Sequence, residues 1–163
     1  NWTTQRIEEA NKFAEENGME PIRISQINYS LAHSSVETFG DNTLVCMDTK
    51  EFRWYKKHDF PVMAFSPQAK GFFAKLAKGD AANNLPEGQY AGPANLARLA
   101  KVKQLSEQTG DTPAKITLGY LNSQPFFVSS VFAVTKLWQL DEDMEAQDLT
   151  YDPKTVAFLE NMI

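Results

Sequence analysis

Residues 61–71 carry the side chains of this chain that are best suited to chemistry. A short apolar run ends at Phe65 and Ser66, Pro67 stops strand pairing because it lacks an N–H group, and a polar loop follows. Parallel α/β folds build their sites at the carboxyl ends of strands, so an aromatic ring at that edge is well placed to face a ligand. A plain packing role for Phe65 remains the alternative. The pattern predicts a buried strand that opens into a binding loop.

Other kinds of site find little support in the sequence. His33 follows Leu31-Ala32 in a loop and His58 sits at a helix end, and neither has a Cys or a carboxylate at metal-ligand spacing, so no metal site is predicted. Both histidines are expected to be exposed or to cap helices. The chain has no G-x-S-x-G, Walker or G-x-G-x-x-G motif. The acidic residues at 141, 142, 143 and 145 are expected to form a solvated helix face rather than a cation site.

The composition is that of an ordinary folded domain, and a single domain over residues 1–163 is expected. Hydrophobic residues make up 42% and charged residues 23% of the 163 residues. The net charge of -5 and the lack of a basic stripe argue against nucleic acid as a partner. The single cysteine, Cys46, suits a reducing compartment, so a cytoplasmic location is expected. No apolar run is long enough to span a bilayer, so no membrane partner is expected.

Strand and helix patterns alternate along the chain, which favours parallel βα units. Helix starts are signalled by Thr3, by Asp111 or Thr112 before Pro113, and by Asp152 with Pro153. The predicted strands span residues 22–30, 61–66 and 126–135, and the third is expected to be buried. The predicted helices span residues 4–16, 50–58, 95–109, 113–124 and 136–146, with a last helix from residue 153. Residues 32–43 and 78–93 are expected to be loops.

The order and spacing of these segments resemble the C-terminal half of the aldo-keto reductases. The resemblance rests on Asn1-Trp2-Thr3 before the first helix and on residues 25–30, 61–71 and 130–143, and it runs without obvious gaps apart from the variable residues 76–92. It implies an NAD(P)H-dependent oxidoreductase that reduces carbonyl groups. The implied fold is α/β, the C-terminal part of a (β/α)₈ TIM barrel with parallel strands and covering helices. Three strands are predicted here, so an incomplete barrel is expected.

The resemblance also implies a binding set for the cofactor, NADP or NAD. Asn1 and Gln26 match the amides that hold the nicotinamide carboxamide, and Phe65 matches the aromatic residue that stacks on the nicotinamide ring. Three loop residues match the pyrophosphate contacts, and four residues near the last strand match the adenosine contacts. These are Ser66, Gln68 and Lys70 for the pyrophosphate, and Thr135, Lys136, Gln139 and Asp143 for the adenosine.

The adenosine end departs from the family pattern. Asp143 stands where the family has an Asn that faces the adenine amino group, and Lys136 is the cation nearest to the place of the NADP 2′-phosphate. A carboxylate there would repel a phosphate, although it could accept a hydrogen bond from the adenine amine. NADP and NAD therefore both remain open.

The catalytic Asp, Tyr, Lys and His of the family belong to the first half of the barrel, which these 163 residues do not match. We therefore expect a truncated fragment that contributes part of a cofactor site, has no catalytic residue of its own and is inactive alone. The alternative is a non-catalytic protein, either a half-barrel that associates with itself or a regulatory subunit of the aldo-keto-reductase type. Self-association is expected because Ile24, Met63 and Val131 would face water and two sheet edges would be unpaired.

Overall fold

A sheet of three short parallel strands forms the centre of the fold. The computed structural model describes residues 1–80 and 90–160. The strands are β1 (Ser25–Asn28), β2 (Val62–Phe65) and β3 (Val128–Val131), and they lie in this order across the sheet. Gln26 lies opposite Met63, and Phe65 lies opposite Val131. The predicted α/β class with parallel strands is confirmed.

Eight α-helices are found in the described residues, and several of them separate successive strands, as in βα units. They are α1 (Thr4–Glu16), α2 (Val36–Phe39), α3 (Thr49–His58), α4 (Phe72–Ala77), α5 (Pro93–Thr109), α6 (Pro113–Asn122), α7 (Leu137–Met144) and α8 (Pro153–Leu159). A 3₁₀ turn over Ala69–Gly71 leads into α4. Within residues 1–80 and 90–160, no helix has both the length and the apolar character that crossing a membrane requires.

Side-chain caps confirm the predicted helix starts. The Thr3 hydroxyl accepts from the Arg6 N–H at 3.3 Å, and the Thr112 hydroxyl accepts from the Lys115 N–H at 3.3 Å. Asp152 caps α8 in the same way. These bonds satisfy N–H groups that have no partner within the helix, which is why such residues mark helix starts in a sequence.

One face of the sheet packs against the helices, and the other is more open. Ile27, Val62 and Ala64 face the helices and are fully buried, in a core that also contains Tyr55 of α3 and Val102 of α5. Because side chains alternate along a strand, the residues between them point to the opposite face. This second face is called the open face below.

The open face leaves apolar side chains in contact with water, as expected. Ile24, just before β1, is 44% exposed, and Val131 at the end of β3 is 38% exposed. Met63 is half-buried between them. Phe127 is 64% exposed, and its position in the alternation assigns it to the same face.

Two predicted strands are too long. Residues 22–30 and 126–135 were expected as strands, but the ladder covers only four residues of each. The chain leaves the sheet early before β1 because the Ile22 N–H donates to Asn11 of α1 at 2.7 Å instead of to a neighbouring strand. The prediction that the third strand is buried is also wrong, because β3 lies at the side of the sheet and its residues are half-buried or exposed.

The segment predicted as a loop over residues 32–43 contains the short helix α2. Ser35 caps this helix by accepting from the Thr38 N–H, and Gly40 ends it with a φ of 63°. The second predicted loop, residues 78–93, ends where α5 begins at Pro93. Residues 81–89 of that loop lie outside the described residues.

The outer edge of β1 is partly covered by residues 43–47, which we call the edge segment. The Asn28 N–H donates to the Val45 carbonyl at 2.9 Å, and the Met47 N–H donates to the Asn28 carbonyl at 2.8 Å. The expectation of two unpaired edges is therefore wrong for β1 at Asn28, where an isolated bridge pairs it with the edge segment. In the described part of the chain, β3 is the strand with a neighbour on one side only.

Candidate functional site

A cleft opens at the carboxyl ends of β2 and β3, where parallel sheets build their sites. Its volume is about 580 Å³, which lies within the range of small-molecule sites. One wall is the loop after β2 together with α4, and the other is the segment after β3 together with α7. Six of the predicted site residues come together here. They are Ser66, Gln68, Lys70, Thr135, Gln139 and Asp143.

The loop wall has an unusual backbone. Ser66, Ala69 and Lys70 have φ values of 52°, 49° and 55°, in the left-handed region that favours glycine. Each such residue costs about 1–3 kcal/mol and persists only where its surroundings hold it. Two backbone bonds hold this loop, from the Ala69 N–H to the Ser66 carbonyl and from the Gly71 N–H to the Gln68 carbonyl, both at 2.9 Å. The loop is thus a tight turn that directs the exposed Lys70 side chain outward.

Gln139 fixes the start of the second wall. Its Oε1 accepts from the Thr135 N–H at 3.1 Å, from the Thr135 hydroxyl at 3.2 Å and from the Lys136 N–H at 3.0 Å. The side chain reaches back over the first turn of α7 and satisfies two backbone donors that the helix cannot. Gln139 therefore holds the wall in place rather than offering its carboxamide oxygen to a ligand.

A hydrogen bond links the two walls. The Gln68 amide donates to Oδ1 of Asp143 at 2.7 Å across 75 residues of sequence, and Asp143 is only 5% exposed. The expectation of a solvated acidic face is therefore wrong for Asp143, since this residue turns toward the cleft. Burial raises the pKa of the Asp143 carboxyl above its ordinary value, the bond from Gln68 opposes this, and the charge of Glu142 adds to the rise.

Asp143 should make the stability of the fold depend on pH. An acid whose pKa is raised by folding binds its proton more tightly in the folded chain, so stability falls as pH rises from the ordinary value of 3.8 through the raised value. Asp143→Asn keeps an oxygen that can accept from Gln68 but has no charge to bury. We expect the free energy of unfolding of this variant, measured by urea titration, to exceed that of the parent by an amount that grows across this pH window.

The matched control is Asp141→Asn, which removes the same charge from an exposed position of α7. The difference in free energy of unfolding between Asp141→Asn and the parent should change less with pH than the difference between Asp143→Asn and the parent. Equal pH profiles for the two variants would show that burial of Asp143 has no energetic effect.

The remaining predicted site residues lie outside this cleft. Gln26 and Phe65 share the open face, because Gln26 pairs with Met63 and Phe65 lies two residues farther along β2. Gln26 is exposed, and Phe65 is half-buried. Lys136 is exposed at the start of α7 and does not line the cleft.

Asn1 uses its side chain to hold the edge segment. Its amide donates to the Thr43 carbonyl at 2.7 Å, and its Oδ1 accepts from the Val45 N–H at 2.9 Å. The same segment pairs with Asn28 of β1. Asn1 therefore lies beside the carboxyl end of β1, at the edge of the sheet opposite to the strands that border the cleft.

The histidines behave as the sequence predicts. His33 and His58 are both exposed. Nδ1 of His58 lies 2.8 Å from the Trp54 carbonyl in the last turn of α3, which is a capping contact. Neither of these two histidines lines the cleft.

The lining of the cleft also contains residues that were not predicted from the sequence as site residues, among them Lys78, Trp138 and Glu142. Lys78 ends α4, and its ammonium nitrogen lies 5.1 Å from the centre of the Trp138 ring on the opposite wall. The sequence did contain a signal for Trp138, because it is an aromatic residue in the first turn of a short helix. The same helix has three other large apolar residues, Leu137, Leu140 and Met144. Their exposure shows that this helix does not use its apolar residues only for packing.

The charges of the cleft are divided between its walls. Lys70 and Lys78 supply cations on the loop wall, whereas Glu142 and Asp143 supply carboxylates on the α7 wall. Such a cleft can hold an extended ligand with an anionic centre and a neutral end that donates hydrogen bonds. The diphosphate and adenosine parts of a dinucleotide have these properties, so the residues present fit that group.

The comparison with known families agrees with the fold. The family model described as Aldo/keto reductase family matches residues 1–163, which is the whole chain. The parallel strands with covering helices are those expected of part of the (β/α)₈ barrel. The chain belongs to the aldo/keto reductase family.

Proposed function

We propose that this chain supplies, as a single domain, the dinucleotide-binding wall of a carbonyl reductase that uses NADH or NADPH. The observation that carries the proposal is the cleft at the carboxyl edge of β2 and β3, where Lys70, at a strained turn, lines one wall and the carboxylates of Glu142 and Asp143 line the other. The cofactor, when bound, supplies the hydride for the carbonyl carbon. The residues of this chain bind and orient it.

The roles follow the two parts of the site. Lys70 and the loop wall hold the diphosphate, because a cation on a fixed turn can pair with phosphate oxygens. On the open face, Gln26 offers both a donor and an acceptor to the nicotinamide carboxamide, and Phe65 offers a ring to its face. Asn1 belongs to this end as well, with its amide already engaged by the edge segment.

The α7 wall favours NAD over NADP. Glu142 and Asp143 bring negative charge to the place where adenosine is expected, and a 2′-phosphate beside them would be repelled. Thr135 is neutral, Lys136 lies outside the lining of the cleft, and Lys78, the cation at the Trp138 ring, belongs to the opposite wall. Asp143 uses Oδ1 for Gln68, and Oδ2 can accept from the adenine amino group.

The 163-residue polypeptide is expected to be inactive by itself. Among the described residues, neither a Tyr nor a His lines the cleft, so the cleft has no counterpart of the Tyr that donates a proton to the carbonyl oxygen in the family. Loss of a general acid alone removes a factor of about 10²–10⁴ in rate. We also propose a cytoplasmic location, since the one cysteine, Cys46, is a free thiol.

Titration of the polypeptide with NADH and NADPH, followed by the fluorescence of the reduced nicotinamide, tests the proposal. A ligand held by one wall buries too little surface for tight binding, so we expect dissociation constants weaker than micromolar, with NADH the tighter ligand. Lys70→Ala should weaken binding about tenfold. Lys57→Ala, at an exposed site on α3, removes the same charge and should not. NADPH oxidation with 4-nitrobenzaldehyde should stay at the blank rate.

Three results would contradict this function. Binding that survives Lys70→Ala unchanged would exclude the loop wall as the diphosphate site. A micromolar dissociation constant for NADH or NADPH would show that one wall of the site is enough for tight binding, contrary to the expectation. Aldehyde reduction above the blank that Phe65→Ala removes would show that this polypeptide has a proton donor of its own.

The open face supports a second candidate, self-association of this polypeptide. Ile24, Phe127 and Val131 are exposed on that face, and contiguous apolar surface of this kind normally has a partner. Pairing two copies through their open faces about a two-fold axis would bury these residues and close the assembly. This candidate assigns no catalytic role to the polypeptide.

Light scattering over a range of concentrations tests this second candidate. The expected result is a mass that rises above 18.4 kDa with concentration, toward that of a dimer. Phe127→Lys should hold the mass at the monomer value, because a charge on the open face is costly to bury. Lys56→Ala, on the surface of α3, is the control. One species of 18.4 kDa at every concentration would contradict self-association.

A further inference from the structure

We infer that Trp138 and Lys78 form a nucleotide clasp at the mouth of the cleft. The Trp138 ring is the platform on which the heteroaromatic base of the ligand stacks, and Lys78 neutralises the phosphate next to that base. The inference rests on the proposed function, because it concerns a ligand of the same cleft, but it assigns recognition to two residues that the family resemblance does not include.

Trp138 has an exposed ring in a concave site. Its side chain is 53% exposed although it lines the cleft. Exposure alone would say little, since its neighbour Leu137 is 81% exposed. Leu137 does not line the cleft, however, and it points to outside solvent. Because Trp138 lines the cleft and Leu137 does not, the exposed part of the Trp138 ring is available to a ligand in the cleft.

Lys78 reaches this ring from the opposite wall. It caps the C-terminus of α4, and its ammonium nitrogen lies 5.1 Å from the centre of the Trp138 ring. At this distance a cation is attracted to the face of an aromatic ring. The contact therefore spans the mouth of the cleft and brings one positive charge beside one aromatic face.

The platform is held in a fixed position. Gln139, the next residue along α7, bonds to the backbone before the helix through Thr135 and Lys136. Farther along the helix, Asp143 is tied to Gln68 of the loop wall. Both ends of α7 are thus anchored, so the backbone that carries Trp138 has a defined place relative to the loop wall.

A ring beside a cation, with Lys70 as a further cation in the same cleft, matches the chemistry of a nucleotide. A purine base has a face that stacks on Trp, and stacking of one base on an aromatic side chain changes affinity strongly. The phosphates next to the base carry the negative charge that Lys78 and Lys70 attract. A simple sugar phosphate would use the cations but not the ring.

This difference defines the experiment, which uses ADP and ribose 5-phosphate at millimolar concentrations as probes. The indole N–H signals of Trp2, Trp54 and Trp138 are followed by nuclear magnetic resonance and assigned with Trp→Phe variants. ADP should shift the Trp138 signal. Trp138→Ala should weaken ADP binding about tenfold and leave ribose 5-phosphate binding unchanged. Lys78→Ala should weaken the binding of both probes.

Two further variants sharpen the result. Trp138→Phe keeps a ring at the site and should bind ADP with intermediate affinity, which also shows that the loss in Trp138→Ala does not reflect misfolding. Leu137→Ala removes the neighbouring exposed side chain from outside the cleft and should bind ADP as the parent does.

The outcomes separate the clasp from the proposed function. ADP affinity unchanged by Trp138→Ala, or a Trp138 signal that ADP does not shift, overturns the clasp. If Lys70→Ala still weakens both probes in that case, the proposed function stands without the clasp. If neither probe binds the parent at millimolar concentration, both are overturned.

Discussion

Replacing Asn95 with alanine should lower the free energy of unfolding by about 3 kcal/mol. Asn95 is 3% exposed and makes three hydrogen bonds to backbone groups. Its Oδ1 accepts from the His33 N–H at 2.7 Å, and its amide donates to the carbonyls of His33 and Tyr90 at 2.9 Å each. The side chain thereby ties the segment after β1 to the start of α5. Alanine removes the acceptor and both donors together.

Urea unfolding of the parent and the variant measures this loss. Asn42→Ala, in an exposed loop position, is the control and should change stability by less than about 0.5 kcal/mol. Asn95→Asp keeps the acceptor but loses the donors, so it should be less stable than the parent. If Asn95→Ala unfolds at the same urea concentration as Asn42→Ala, the three bonds contribute nothing net.

Gly119→Val should destabilise the fold by a similar amount, about 3 kcal/mol, for a different physical reason. A Cβ atom on Gly119 of α6 would lie 2.9 Å from Cγ of Leu149 and 2.9 Å from Cε2 of Tyr151. These atoms belong to a branch point and to a ring, so neither can bend away easily. The segment that carries them is also held by Asn122, whose amide donates to the Ala146 carbonyl at 2.8 Å.

The measurement is again urea unfolding, with Gly92→Ala as the control. A Cβ on Gly92 would meet no atom within 4 Å, so this variant, at the N-cap of α5, should lose much less stability than Gly119→Val. Leu149→Ala in the Gly119→Val background should recover part of the lost stability, because it removes one of the two contacts. If the stability losses of Gly119→Val and Leu149→Ala simply add in the double variant, the contact with Leu149 is not the cause of the loss in Gly119→Val.

The sequence predicts well what short-range chemistry decides. Thr112 with Pro113 and Asp152 with Pro153 identify helix starts because the cap and the helix lie within three residues of each other. Strand length is different, since it depends on the partner strand. The Ile22 N–H has a neighbour in α1 that takes its hydrogen bond, and no pattern within residues 22–30 reports this.

The same distinction between short-range and long-range determinants applies to the candidate site. Ser66, Gln68 and Lys70 could be named because the resemblance to the aldo-keto reductases assigns contacts to the loop after this strand, and they do meet Thr135, Gln139 and Asp143 in one cleft. The burial of Asp143 could not, because it depends on Gln68, which is 75 residues away. Trp138 was missed because its exposure is a property of the folded surface.

The edge segment has a consequence for fibre formation. A sheet that grows without limit needs an open edge on each side, so that β3 of one copy can pair with β1 of the next. In this chain the outward N–H and carbonyl groups of Asn28 are already hydrogen-bonded to residues 45 and 47. Asn1 also bonds to the same segment. An incoming strand would have to displace it. The sheet can therefore add a neighbour at β3 but is obstructed at β1, and this polarity stops chain-to-chain stacking after one step.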